Sequence, residues 1–102
     1  MSRRIVLRPE AEADLLQARD WYGQEDSELA EAFLDSFDAT IALIEDMPEL
    51  YPVVVKSTRR GKLLRFPYLV YYRVFPDRIE VIGLLHGSRD PKVWQKRVDG
   101  AG

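Results

Sequence analysis

His86 is the only histidine in the chain, and it ends the apolar run of the stretch LLHGSRDPKVW, residues 84–94. Imidazole is the side chain whose ordinary pKa lies nearest neutrality, so it suits proton donation or acceptance. Arg89, Lys92 and Trp94 follow in the same stretch, and Arg59, Arg60, Lys62, Arg65 and Tyr71 lie upstream. A guanidinium presents a fork of donors that matches an oxyanion. An aromatic ring offers a stacking face or an anchor for a partner. Together these residues describe a basic, aromatic-bearing surface with one titratable group, either an active site or a docking surface. The plainer alternatives are a strand-end histidine bonded to the backbone, a tail tryptophan that packs a terminal helix, and loop arginines facing solvent.

The elements that must position these groups follow from the pattern along the chain. Residues 5–7 read as a strand, and Pro9 with Glu10, Glu12 and Asp14 suits the start of a helix. Leu15, Ala18 and Tyr22 fall on one helical face, with Gly23 a plausible stop. Ser27 can cap a second helix whose stripe runs Leu29, Phe33, Phe37, Ile41, Ile44 and ends before Pro48. Residues 53–55 begin a strand, and 58–62 (TRRGK) read as a basic loop. Residues 63–66 and 69–75 are strand-like, interrupted at Pro67, and 79–85 form the next strand after a Pro76-Asp77 turn. Residues 91–98 predict a short terminal helix. The order is β-α-α-β-β-β plus that helix: an α+β domain with two helices packed on a mainly antiparallel four-stranded sheet, spanning residues 1–102.

The two-residue turn predicts a register. Val74 faces Ile79, Arg73 faces Glu80, Tyr72 faces Val81 and Tyr71 faces Ile82, with opposite charges meeting across the ladder at Arg73 and Glu80. Alternation then places Val70, Tyr72, Val74, Ile79, Val81, Gly83 and Leu85 against the helices. Tyr71, Ile82, Leu84 and His86 fall on the other face, with Arg65 one diagonal step from His86. A one-residue slip would exchange the faces.

Composition narrows the function classes. The chain has 102 residues, 46% of them hydrophobic and 31% charged, a balance that suits one globular domain. No apolar run reaches the roughly 20 residues of a membrane span, and the chain reads as cytoplasmic. With no cysteine and one histidine, no thiolate or histidine-rich metal site is expected, and nothing suggests an organic cofactor. Net charge is −2, yet residues 1–50 carry four basic and thirteen acidic residues while 51–102 carry eleven basic and four acidic. The halves thus hold −9 and +7. Such segregation presents a basic face to an anionic partner, or serves solubility alone.

The opening VLRPEAEADLLQARDWY, the strands RFPYLVYYRV (65–74) and IEVIGLLH (79–86), and RDPKVW (89–94) together resemble the RelE/ParE superfamily of type II toxin–antitoxin toxins. The resemblance runs from about residue 4 to 97 and rests on the ordered combination, since no single motif is specific. It implies a small α+β fold and a growth-inhibiting toxin neutralised by a cognate antitoxin in a hetero-oligomeric complex.

Two mechanisms divide this superfamily. RelE-like members cut mRNA on the ribosome, which here would use His86, Arg65 and Arg89, with Tyr71 or Trp94 stacking a base. Such cleavage needs a proton acceptor for the 2′-hydroxyl, a cation at the phosphorane and a proton for the leaving oxygen. The chain departs from that pattern. Tyr68 stands about where a central-strand arginine is expected, Trp94 replaces a C-terminal tyrosine, and Lys56 and Lys62 form no evident pair. Some superfamily nucleases use histidine and glutamate, which keeps a role for His86 open. ParE-like members bind DNA gyrase and need no catalytic set; Arg59, Arg60, Arg65, Tyr71, Arg89, Lys92 and Trp94 would then be target- or antitoxin-binding residues. The ParE-like reading is preferred, with ribosome-dependent mRNA cleavage as the alternative. A third reading is a non-toxic relic that binds its antitoxin and co-represses the operon.

Overall fold

The computed structural model describes residues 3–101. Strand β1 (Arg4–Leu7) leads into helices α1 (Pro9–Glu25) and α2 (Ser27–Asp46). Strands β2 (Val53–Val55), β3 (Thr58–Lys62), β4 (Tyr68–Val74) and β5 (Arg78–His86) follow, and helix α3 (Pro91–Ala101) closes the chain. The sheet order is β1-β5-β4-β3-β2, with β1 parallel to β5 and the other neighbours antiparallel. The α+β class is as expected, but the sheet has five strands rather than four.

Local chemistry explains the boundaries. Arg8 precedes a proline and is held extended (φ −65°, ψ 153°), so β1 ends there and Pro9 opens α1. Helix α1 passes Gly23 and stops at Glu25. The Asp26 N–H closes its last turn onto the Tyr22 carbonyl at 3.1 Å. The cap of α2 is Asp26 rather than Ser27, its carboxylate accepting the Glu28 N–H at 2.9 Å. Phe33, Phe37 and Ile44 are buried as the stripe predicts. The stripe did not reveal Ser36 and Thr40, which are also buried; each satisfies its hydroxyl by donating to a backbone carbonyl, of Leu64 and Ser36 respectively.

The basic segment 58–62 is a strand, contrary to expectation, and 63–67 is the loop. Its charges do not prevent pairing because long side chains reach out from both faces. The Arg59 guanidinium donates to the carbonyls of Tyr51 at 2.7 Å and Glu49 at 3.3 Å, while Arg60 extends the other way, toward α3. Gly61 lies beneath the Tyr51 ring, where an added Cβ would sit 2.7 Å from a ring carbon.

The main core lies between the α1–α2 hairpin and the sheet, built on Phe33, Phe66, Val70, Tyr72, Val81 and Leu84. Burial pushes the Tyr72 phenol up to about 12, with Arg59 pulling weakly the other way, and its hydroxyl donates to the Pro48 carbonyl at 2.9 Å. A phenol whose folded pKa is raised contributes stability below its unfolded value near 10, and that stability is lost as pH rises through 12. Alkaline titration is therefore expected to ionise one tyrosine only on unfolding, with about 2–3 kcal/mol lost across that window. Tyrosinate absorbance followed beside circular dichroism tests this; Tyr72 ionising with the exposed phenols would contradict it.

The predicted register holds through Val74–Ile79, Arg73–Glu80 and Tyr72–Val81 and then breaks. Tyr71 pairs with Gly83, not Ile82, so Ile82 is one extra residue in β5, a β-bulge. Beyond it every side chain changes face. Leu84 joins the main core and Leu85 turns to the α3 side, the reverse of the expected assignment. His86 pairs with Tyr68 and lies on the α1 side.

Candidate functional site

The bulge divides the predicted site residues between two faces. On the α3 face, Tyr71, Ile82 and Leu85 form a second cluster against Val93 and Trp94. The rings of Trp94 and Tyr71 stack at 5.5 Å and 17°, and the Arg60 guanidinium lies 5.7 Å from the Trp94 centroid. Burial pushes the Tyr71 phenol up, with Arg60 opposing. The sandwich places a cation, an indole and a phenol in one preorganised patch.

Helix α3 is fixed over this face at both ends. Asp90 caps it, its carboxylate accepting the Lys92 N–H at 2.9 Å, with Pro91 in the first turn. The terminal helix expected over residues 91–98 thus starts at Pro91, with Asp90 as the cap that the sequence analysis does not name. Further along, the Asp14 carboxylate of α1 holds Arg97 at 2.7 Å. That pair also completes the edge of β5 where β1 ends. Asp14 accepts the Leu84 N–H at 3.0 Å, and Arg97 donates to the Ile82 carbonyl at 3.2 Å. The Asp14 contact raises Arg97 above the usual arginine value.

On the opposite side, His86, Arg89, Tyr68, Asp14, Gln17 and Trp21 line a cleft of 230 Å³. The Tyr68 and His86 rings meet edge to face at 5.2 Å. Burial pushes the Tyr68 phenol up, Arg89 opposes this, and Asp14 adds to it. The His86 Nδ1 accepts the Ser88 backbone N–H at 3.0 Å, and the Ser88 hydroxyl lies 2.7 Å from the same nitrogen. The backbone donor makes Nδ1 an acceptor and puts the ring proton on Nε2. The serine–histidine contact is thus part of a local turn rather than a nucleophile and its base. Trp21, at the rim, is 52% exposed; Asp14, Tyr68 and Trp21 were not among the predicted site residues, because nothing in their spacing ties them to His86.

Arg65 joins neither group. It lies exposed in the 63–67 loop at φ 72°, its guanidinium 5.7 Å from the Phe66 ring, which corrects the expectation that it shares a sheet face with His86. Arg59 ties down the turn before β2, and Lys92 is exposed on α3. Among the described residues no helix is long and apolar enough to cross a membrane.

Comparison with known proteins bears on this arrangement. A family profile described as the ParE toxin of the type II toxin-antitoxin system parDE matches residues 5–91. Toxin ParE2 of Mycobacterium tuberculosis, in strains CDC 1551 / Oshkosh and ATCC 25618 / H37Rv, is 26% identical over 101 residues, covering 98% of this chain and 96% of its own. A structure of the chromosomal ParDE TA system from P. aeruginosa superposes with a TM-score of 0.73 at 19% identity, covering 83% of this chain and 96% of that one, a likeness of fold. With a family profile matched along most of its length, the chain belongs to the ParE toxins of type II toxin–antitoxin systems.

Proposed function

We propose that this toxin arrests growth in the cytoplasm by binding DNA gyrase, without cleaving RNA, and that a cognate antitoxin neutralises it. The observation that carries the reading is the bulge at Ile82. Cleavage of an RNA phosphodiester needs a base, a cation and an acid around one phosphate. Here His86 and Arg89 share one cleft, Arg65 stands apart in a loop, and Tyr71 and Trp94 stack on the opposite face. The Arg60–Trp94–Tyr71 patch instead offers the residue types that dominate protein interfaces, already ordered before binding. For the antitoxin, the reading is supported by the outer edge of β2, where Val53 is exposed and Leu43, Met47 and Leu50 are exposed in the chain before it. An extended antitoxin segment can add there as a strand.

Induction in bacteria with pulse labelling tests the mechanism. Thymidine incorporation is expected to fall before methionine incorporation. His86→Gln is expected to keep full toxicity, because no proton transfer is required. Arg60→Ala is expected to cost about 2 kcal/mol of target binding, roughly 30-fold in affinity, read as weaker inhibition of gyrase supercoiling. Early loss of translation together with an inactive His86→Gln would replace this reading with mRNA cleavage. No growth effect from wild type would leave only an antitoxin-binding co-repressor.

A further inference from the structure

At the turn end of the sheet, on the α3 side, a separate cavity of 630 Å³ gathers Arg8, Lys56, Ser57, Arg73 and Arg78, with Asp99 as the acid in its lining. Its charges are poorly balanced. Glu80 meets Arg8 at 2.8 Å and Arg78 at 2.7 Å, and Asp77 adds a second carboxylate to Arg78 at 2.9 Å. Arg73 stands opposite Glu80 in the ladder, yet donates to the Thr58 hydroxyl at 3.0 Å and the Val98 carbonyl at 3.3 Å, both neutral. Lys56 meets Asp99 at 2.8 Å, with both side chains 63% exposed. Such an exposed pair contributes at most about 1 kcal/mol and is readily exchanged.

The backbone adds a second observation. Lys56 and Ser57 form the two-residue link between β2 and β3, with φ of 47° and 62°. A turn that needs two left-handed residues favours asparagine–glycine, and each ordinary residue there costs on the order of 1 kcal/mol. Core packing does not offset that cost, since both side chains are exposed. Strain retained without packing marks a position kept for what its side chains contact.

The geometry points to a site for the phosphodiester backbone of duplex DNA, with Lys56, Ser57 and Arg73 as phosphate donors and Asp99 as the anion that phosphate displaces. The lining consists of side chains with guanidinium, ammonium and hydroxyl donors, the set that holds phosphate oxygens. The acidic residues of the first half lie mostly in α1 and α2, so a polyanion is repelled from that side and approaches from the α3 side. This inference goes beyond the gyrase reading, because it concerns free DNA.

The test uses the full chain, purified without antitoxin, and a fluorescein-labelled duplex of random sequence read by anisotropy. Between about 50 and about 200 mM KCl, log affinity is expected to fall against log salt with a slope near −2, as for roughly two phosphates neutralised by Lys56 and Arg73. Lys56→Gln is expected to weaken binding several-fold and reduce the slope by about 1. Asp99→Asn is expected to strengthen binding several-fold, since it removes the competing anion while keeping the side chain's size. Arg19→Gln, on α1, is expected to change nothing. Thermal melts matching wild type show that these exposed substitutions leave the fold intact. Absence of salt-dependent binding, or unchanged affinity in Asp99→Asn, overturns the proposal. Displacement of DNA by polyglutamate of equal charge overturns it in favour of an acidic protein partner. Preference for single-stranded RNA over the duplex likewise overturns it.

Discussion

Replacing Asp14 by alanine lowers stability by about 3 kcal/mol, more than any other single side-chain truncation proposed for this chain. The carboxylate side chain is only 12% exposed and has two duties at once. It accepts the Leu84 N–H on the stretch of β5 that β1 does not reach, and it neutralises Arg97, whose side chain is 24% exposed. Alanine strands both, leaving an unmet amide and a partly buried cation, and it unfastens α3 from α1. The partial exposure of Arg97 keeps the loss at the lower end of the range for broken buried pairs. For a chain of this size the melting temperature is expected to fall by roughly 12–24 °C. Asp14→Asn keeps an acceptor for Leu84 and is expected to lose about half as much. Thermal unfolding measures both; a melt of Asp14→Ala within a degree or two of wild type would show that the sheet edge needs no such closure.

Deleting Ile82 is expected to lower stability by about 4 kcal/mol. The deletion removes the extra residue between the Val81 and Gly83 pairs, so the ladder closes into unbroken alternation. Leu84, Leu85 and His86 keep their partners on β4 and therefore their faces. What is lost is the Ile82 side chain, 1% exposed and packed with Tyr71, Leu85 and Trp94, and with it the carbonyl that accepts from Arg97 at 3.2 Å. Ile82→Val keeps the residue count and is expected to cost only about 1 kcal/mol. Amide dispersion by NMR and a thermal scan distinguish the two; a deletion variant within about 1 kcal/mol of wild type would mean the bulge is dispensable.

The reach of the sequence differs from element to element, for physical reasons. Helix α2 was readable because its stripe meets one wall, and Phe33, Phe37 and Ile44 have nowhere else to go. The β4–β5 register was readable from the Pro76-Asp77 turn as far as Tyr72 and Val81, because a two-residue turn sets the pairing of its flanks; the Arg73 and Glu80 side chains, though opposite, bond elsewhere. It failed at Ile82 because Ile82-Gly83-Leu84-Leu85 is apolar on both faces. With α3 covering one side and α1–α2 the other, alternation carries no information about which residue faces which wall. The placement of His86 and Arg65 failed with it, since both depended on extending that register. The charges of segment 58–62 suggest a loop, but the segment is a strand because Arg59 and Arg60 leave the sheet by their long stems. Trp94 was foreseen both as a tail aromatic packed on the sheet and as part of a basic surface, and it has both surroundings.

The parallel pairing of β1 with β5 sets an order of events in synthesis. Arg4 and Ile5 pair with Arg78 and Ile79, so the first strand waits for nearly the last. At roughly 5–20 residues per second, the intervening chain takes on the order of 4–15 seconds to make. Until β3 and β4 emerge, the α1–α2 hairpin has no sheet to cover its phenylalanines. A ribosome that stops short of β5 therefore releases a fragment with no route to the native ladder. The shape that does harm comes into being only when translation is almost complete, which gives a partner already present in the cell the first opportunity to meet it.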